Sequence, residues 1–237
     1  MYKIAPDSVD ALMELSYATN SLGSLAMKLQ EFEQATAFFD ESLNLKLLAK
    51  AKDPANTALI ADIADTRSWL ASAALAKGDI YKAIDVHQQI QAEFERLNKE
   101  VKVDAYLLDR VFSSYSILAT IYNYQGLTKQ SFAKVFQAQG LLEDAVLQDP
   151  QNKGWQGSLF HHKVILMRLN AKLHDARINY TPESIKLELD SKKNALGSEL
   201  QYRRIYSNWL VESARYFLMA GQSQKSADFT TLSLIHI

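Results

Sequence analysis

Apolar and small residues recur along this chain at helical spacing. Leu70, Ala71 and Ala74 follow the i, i+1, i+4 rule that lines one face of a helix. Ala83, His87 and Ile90 line the facing stripe of the next helix, with His87 read as a core residue. Small residues at Ala71 and Ala83 let the two backbones approach closely, so a bulky residue at Ala83 is expected to force the pair apart. Between the stripes, Gly78-Asp79 supplies a tight reversal. Extended along the chain, this reading predicts helices near 8–28, 31–52, 55–77, 79–99, 103–125, 127–148, 151–176, 182–196, 199–220 and 222–233. A typical one holds about 20 residues and runs roughly 30 Å. Asp53-Pro54 and Asp149-Pro150 read as an N-cap followed by Pro at the first helical position.

The breakers between these stripes are periodic. Pro6 and Pro54 lie 48 residues apart, and Pro54 and Pro150 lie twice that. Gly78 and Gly126 are again 48 apart, and Gly126 to Gly221 is 95. Two residue types thus report one period, the signature of a repeat array. The units run approximately 6–53, 54–101, 102–149, 150–197 and 198–237, all within a single array over 1–237.

Aligned on that period, the units share a pattern. The first reads Leu22-Gly23-x2-Ala26, then Ala35-x3-Phe39; the second reads Leu70-Ala71-x2-Ala74-x3-Gly78, then Ala83. The third reads Leu118-Ala119-x2-Tyr122-x3-Gly126, then Ser131, and the last reads Ser213-Ala214-x2-Phe217-x3-Gly221, then Ser226. This resembles the tetratricopeptide repeat (TPR) family, whose unit carries Leu-Gly-x2-Tyr, a turn, Ala-x3-Phe and a closing Pro. The family's Trp position holds Thr19, Arg67 and Lys163 here, and is filled by large side chains at Tyr115 and Leu210. Its Phe position becomes His87, Val135 and Thr230. The resemblance implies an all-α fold: a right-handed α-solenoid of about five antiparallel helix pairs.

The family's usual unit is about 34 residues. Ala35 to Pro54 and Pro54 to Leu70 each exceed the family spacing by about seven residues, or two helical turns. Both helices of each unit are therefore lengthened with their core faces preserved. Such extended units resemble those of bacterial signalling proteins, which often stand beside a kinase, cyclase or DNA-binding domain. The fourth unit is irregular, with His174 at the expected turn Gly, Asn179 at the expected small residue, and a delayed helix start at Thr181-Pro182-Glu183-Ser184. Gly197 is the expected stop of the shortened helix.

Composition agrees with long elements. Gly and Pro together are 8 and 4 of 237 residues, about 5% against an average near 12%. The net charge of -1 leaves no footprint for nucleic acid or an anionic membrane. No cysteine is present, which removes disulfides, thiolate nucleophiles and Cys-ligated metals. The chain start lacks a secretory pattern, so a cytoplasmic location is expected. The uncharged stretch Val111 to Thr128 is broken by Ser113, Ser114, Ser116, Asn123 and Gln125 and reads as soluble.

No Gly-rich phosphate loop, Ser elbow or His-Glu helix motif occurs, and no enzyme or cofactor is expected. His161, His162 and His174 lack metal-ligand spacing and read as ordinary surface or interface histidines, so no metal site is expected. Glu93, Glu95, Arg96 and Lys99 read as a solvated charged face. Tyr115, Tyr122, Phe132 and Phe136 follow the repeat phase and read as core.

The candidate site is the groove lined by the first helix of each pair. By repeat phase its residues are Tyr17, Asn20, Ser24 and Lys28, then Asp65, Ser68 and Ser72. Ser113, Ser116, Thr120, Asn123 and Tyr124 follow. His161, Arg168 and Lys172, with Asn208 and Arg215, complete it and turn the face basic toward the C-terminal end. The paired Lys, Asn and Arg with which some family members clamp a peptide carboxylate are absent from the first three units. The expected function is a protein-interaction module binding a peptide or partner domain. The alternative is a regulatory or sensor segment of a larger signalling enzyme or transcription regulator. Pro6 leaves no cap ahead of the first unit, and the apolar tail Ser233-Leu234-Ile235-His236-Ile237 breaks the pattern of a truncated last unit. Both ends suggest a fragment, whose further domains would then be partners as well.

Overall fold

The computed structural model describes residues 8–100, 105–193 and 199–236. Among them the chain forms ten helices and no strand: α1 Val9–Lys28, α2 Phe32–Lys52, α3 Ala58–Ala76, α4 Ile80–Glu100, α5 Ala105–Tyr124, α6 Thr128–Gln148, α7 Lys153–Leu173, α8 Pro182–Ser191, α9 Glu199–Met219 and α10 Ser223–His236. They pack as two compact units, residues 1–121 and 122–237.

The helix order follows the periodic reading, and the turns show why. Gln30, Gly78, Gly126, His174 and Gly221 all hold a left-handed backbone, with φ of 62°, 83°, 74°, 52° and 73°. They stand 48, 48, 48 and 47 residues apart. No other described residue has positive φ. At four of these turns the next N–H reaches five residues back: Glu31 to Ala26, Asp79 to Ala74, Leu127 to Tyr122 and Gln222 to Phe217, at 2.8–2.9 Å. This bond closes the helix end by satisfying a carbonyl of its last turn. His174 lacks it, and the Asn170 side chain takes over. Asn170 accepts from the Asp175 N–H and donates to the carbonyls of Asp175 and Ile178.

Three expectations need correction. Asp53-Pro54 and Asp149-Pro150 do not open helices; they close the preceding ones. Asp53 and Asp149 are C-caps whose N–H groups bond Ala49 and Ala145, and their carbonyls accept from Asn56 and Asn152 in the same turn. The next helices start later, α3 at Ala58 and α7 at Lys153, the latter capped by the Asn152 side chain on the Trp155 N–H at 3.1 Å. The last helix does not end at residue 233, since α10 continues through His236. Glu93 and Glu95 are not merely solvated. Glu93 pairs with Arg67 at 2.5 Å, and Glu95 accepts from the Tyr115 hydroxyl at 3.0 Å. The delayed start of α8 holds as read, with Thr181 and Ser184 in a reciprocal capping box and Pro182 inside the first turn. Pro6 and Gly197, and the side chain of Lys99, lie outside the described residues.

In the first unit, Ala26, Ala35, Phe39 and Leu70 form one buried cluster, and Phe39 stacks on Trp69 with centroids 5.6 Å apart. A Cβ on Gly23 would sit 2.5 Å from the Phe39 ring, so the glycine of the Leu-Gly pair is there for closeness. One period later Ala71, Ala74, Ala83 and Ile121 make the equivalent contact. His87, at the family's Phe position, is buried with Nδ1 3.0 Å from Ser114 Oγ. In the second unit Val164, Met167, Ile185, Trp209 and Leu210 form the centre, and the Trp209 indole N–H donates to the Pro182 carbonyl at 2.9 Å. Phe132 is buried; Phe136 is half-buried beneath the Arg177 guanidinium, 4.6 Å from its ring centre. Tyr115 is buried and Tyr122 half-buried.

Candidate binding face

The residues of the expected face lie on the first helices of the pairs, and their surroundings differ between the two units. In the first unit the face belongs to α1, α3 and α5. Ser68 donates to the Ala64 carbonyl, Ser72 to Ser68, Ser113 to Asp109, Ser116 to Phe112 and Thr120 to Ser116, all at 2.7–3.0 Å. Each hydroxyl thus spends its proton on its own helix one turn back, which leaves its oxygen the character of an acceptor. The result is a set of short acceptors along α3 and along α5. Ser24 is half-buried and Lys28 exposed. The Asn20 side chain is half-buried, and its Oδ1 lacks a partner among the described residues.

A charged network joins α1, α2, α3 and α5. Lys46 of α2 is 3% exposed and donates to Thr66 Oγ1 at 2.8 Å and to the Asp62 carbonyl at 3.2 Å. Burial pushes its pKa down, against the carboxylates of Asp62 and Asp65. Its ammonium also lies 5.3 Å from the centre of the Tyr17 ring, and the Tyr17 hydroxyl donates to Asp62 at 3.3 Å. Asp65 pairs with Arg110 at 2.5 Å. Lys46, Asp62 and Arg110 were not among the residues expected from sequence. A signal was present for Lys46, which stands one and two periods before the core residues Phe94 and Leu142. A lysine in core phase marks a site where the protein must supply its partners.

In the second unit Asn123 and Arg168 come together, as do His161 and Asn208. Arg168 donates to Asn123 Oδ1 at 3.2 Å, and Asn208 Nδ2 lies 3.0 Å from His161 Nδ1. Arg168 is only 7% exposed and forms an ion pair with the equally buried Glu212, which also pairs with Arg215 at 2.5 Å. Arg168 is therefore neutralised inside the α7–α9 layer. Lys172 and Arg215 are the exposed cations of the expected basic end, and Tyr124 is 85% exposed.

The histidines take separate roles. His162 is buried, bonds the Ser158 carbonyl at 2.7 Å, and is held by burial at a pKa of about 4. His174 turns the chain. Among the described residues no three His, Asp or Glu side chains gather as a metal set would. Residues at the family's Trp position also find a use. Arg67, Tyr115 and Lys163 each reach a glutamate on the following or preceding helix: Glu93, Glu95 and Glu188, the last at 2.8 and 2.9 Å.

Antiparallel helix pairs that recur every 48 residues and close in one shared left-handed turn define a TPR-like helical-repeat fold. Solved structures of that kind match over nearly the whole chain. Two crystal structures of nearly identical TPR-like repeats, from a Podosopora anserina protein described as a kinesin light chain, match at 14% identity. One covers 99% of this chain and 97% of its own with a TM-score of 0.59; the other covers 95% of each with 0.58. No family model matches the sequence, and no curated protein matches it. Among the described residues no helix is long and apolar enough to cross a membrane.

Proposed function

We propose that the protein is an interaction module that binds an extended peptide or a partner domain along the first helices of its pairs. The observation that supports this is the set of self-satisfied hydroxyls on α3 and α5, from Ser68 to Thr120. Short side chains already fixed by a bond to their own helix lose little entropy when a ligand docks. Their lone pairs accept from backbone N–H groups and from Asn, Gln, Lys or Arg side chains. Nothing in this role calls for a cofactor or a reacting group, and the acceptor set favours protein over nucleic acid because phosphate offers no donors.

Selection of extended peptides from a displayed library, followed by titration, tests the reading. Ser72→Arg and Thr120→Arg fill the face from solvent without entering the core. A tenfold or greater loss of affinity in either is expected, and unchanged affinity in both would overturn the assignment. On the second unit, Lys172→Glu and Arg215→Glu probe the exposed cations while Arg168 stays with Glu212.

A further inference from the structure

One face of α1 carries a continuous stripe of exposed apolar residues. Leu15, Ala18, Leu22, Leu25 and Leu29 follow one another at alternating three- and four-residue spacing, and all five are exposed. The leucines are 51%, 46%, 53% and 59% accessible. One period later the register of the first four falls on Ile63, Thr66, Leu70 and Ala73, and two periods later on Val111, Ser114, Leu118 and Ile121. All eight of those are buried. The second helix of the preceding pair covers them: Lys46 of α2 bonds Thr66 and Phe39 packs with Leu70, while His87 of α4 meets Ser114 and Ala83 packs with Ile121. The row on α1 is thus built to receive a helix, and no described element lies on it.

We propose that the occupant is α1 of a second copy, laid antiparallel across a two-fold axis. The three-four spacing is that of a coiled-coil seam, which pairs like helices. Charge then sets the direction. Glu14 and Lys28 flank the row on the same edge, each one residue before a seam leucine, and neither has an ion pair with a described residue. Antiparallel packing sets Leu22 against the partner's Ala18 and Leu15 against the partner's Leu25. In that register Glu14 comes within two residues' rise of the level of the partner's Lys28, Lys28 likewise of the partner's Glu14, and Ser21 lies one residue from the axis. A parallel pair would instead set Glu14 level with the partner's Glu14. The arrangement is isologous, as a two-fold dimer requires. From Ala11 to Leu29 the seam spans about 27 Å, less than a standard interface, so association belongs to the weak class and needs micromolar protein.

Sedimentation equilibrium across the micromolar range reads the dimer directly. The wild type is expected to dimerise, and Leu22→Glu is expected to remain monomeric with unchanged helicity and melting, because Leu22 supports no core in the monomer. Glu14→Lys should weaken the dimer about tenfold, and the Glu14→Lys, Lys28→Glu double variant should restore it. The chain has no cysteine, so single introduced thiols report orientation cleanly. With a short bis-maleimide, Ser21→Cys should link to itself, and Glu14→Cys should link to Lys28→Cys in a mixture. A wild type that stays monomeric throughout would overturn the proposal, as would a dimer untouched by Leu22→Glu or Glu14→Cys linking to itself.

Discussion

His174 stands one period after Gly126 and takes the same left-handed backbone, φ 52° against 74°, although it carries a side chain that this region disfavours. The turn is imposed by the helices that meet there and not by the residue that occupies it. His174→Gly is expected to stabilise the protein by about 1 kcal/mol, and Gly126→Ala to destabilise it by about 1–2 kcal/mol. Urea unfolding of both variants checks the pair of signs. Gln30→Gly should behave as His174→Gly does.

Arg168 and Glu212 are buried together, so each is safe only while the other remains. Arg168→Met leaves a buried carboxylate with the exposed Arg215 and His161 beside it but without its buried partner, and is expected to cost about 3 kcal/mol. Adding Glu212→Leu should recover most of that loss, since a well-packed apolar pair replaces a buried ion pair at little cost. A double variant as unstable as Arg168→Met alone would refute this account.

Burial holds His87 and His162 at a pKa of about 4, below the ordinary 6.5. Between those values the unfolded chain binds the proton and the folded chain does not. Stability is therefore complete above pH 6.5 and falls as the pH drops toward 4, by about 1.4 kcal/mol per pH unit for each histidine. His87→Phe should remove its share of that slope. Ser114 still donates to the residue-87 carbonyl, a bond of 3.2 Å in the wild type. Urea midpoints compared at pH 7 and about pH 5 give the difference, and an unchanged pH dependence would contradict it.

Gly23 lies against the Phe39 ring, with room for no further carbon. Gly23→Ala gains about 1 kcal/mol in helix propensity but drives a methyl into a buried aromatic ring. A net loss of about 1–3 kcal/mol is expected. Thermal melting decides the sign, and the same substitution with Phe39→Leu should be much better tolerated.

Much of the fold could be read from the chain because its signals are local. Gly78 and Gly126 mark turns by their own backbone freedom, and Ala71 and Ala83 mark close helix approach by their size. Asp53-Pro54 was legible as a boundary but misplaced by a few residues, since the same aspartate can start a helix or end one, and here its N–H closes α2 on the Ala49 carbonyl. The candidate face was legible only as a list of phases. Arg168 and Arg215 look alike in sequence, yet the first is buried against Glu212 and the second faces water. Lys46 was hidden among ordinary lysines until its partners Thr66 and Asp62, on another helix, were in place.

The sequence by itself determined the period, the number of the helices and the glycine turns, because propensity, small-residue spacing and backbone freedom act within a few residues. The tertiary structure alone decided which charges are sunk and which remain available, and which apolar stripes are covered. Leu22, Leu70 and Leu118 occupy one repeat position, and only the packing of a preceding helix separates the two buried leucines from the exposed one. Burial is a property of what lies on the other side of a residue, and its neighbours in sequence do not carry that information.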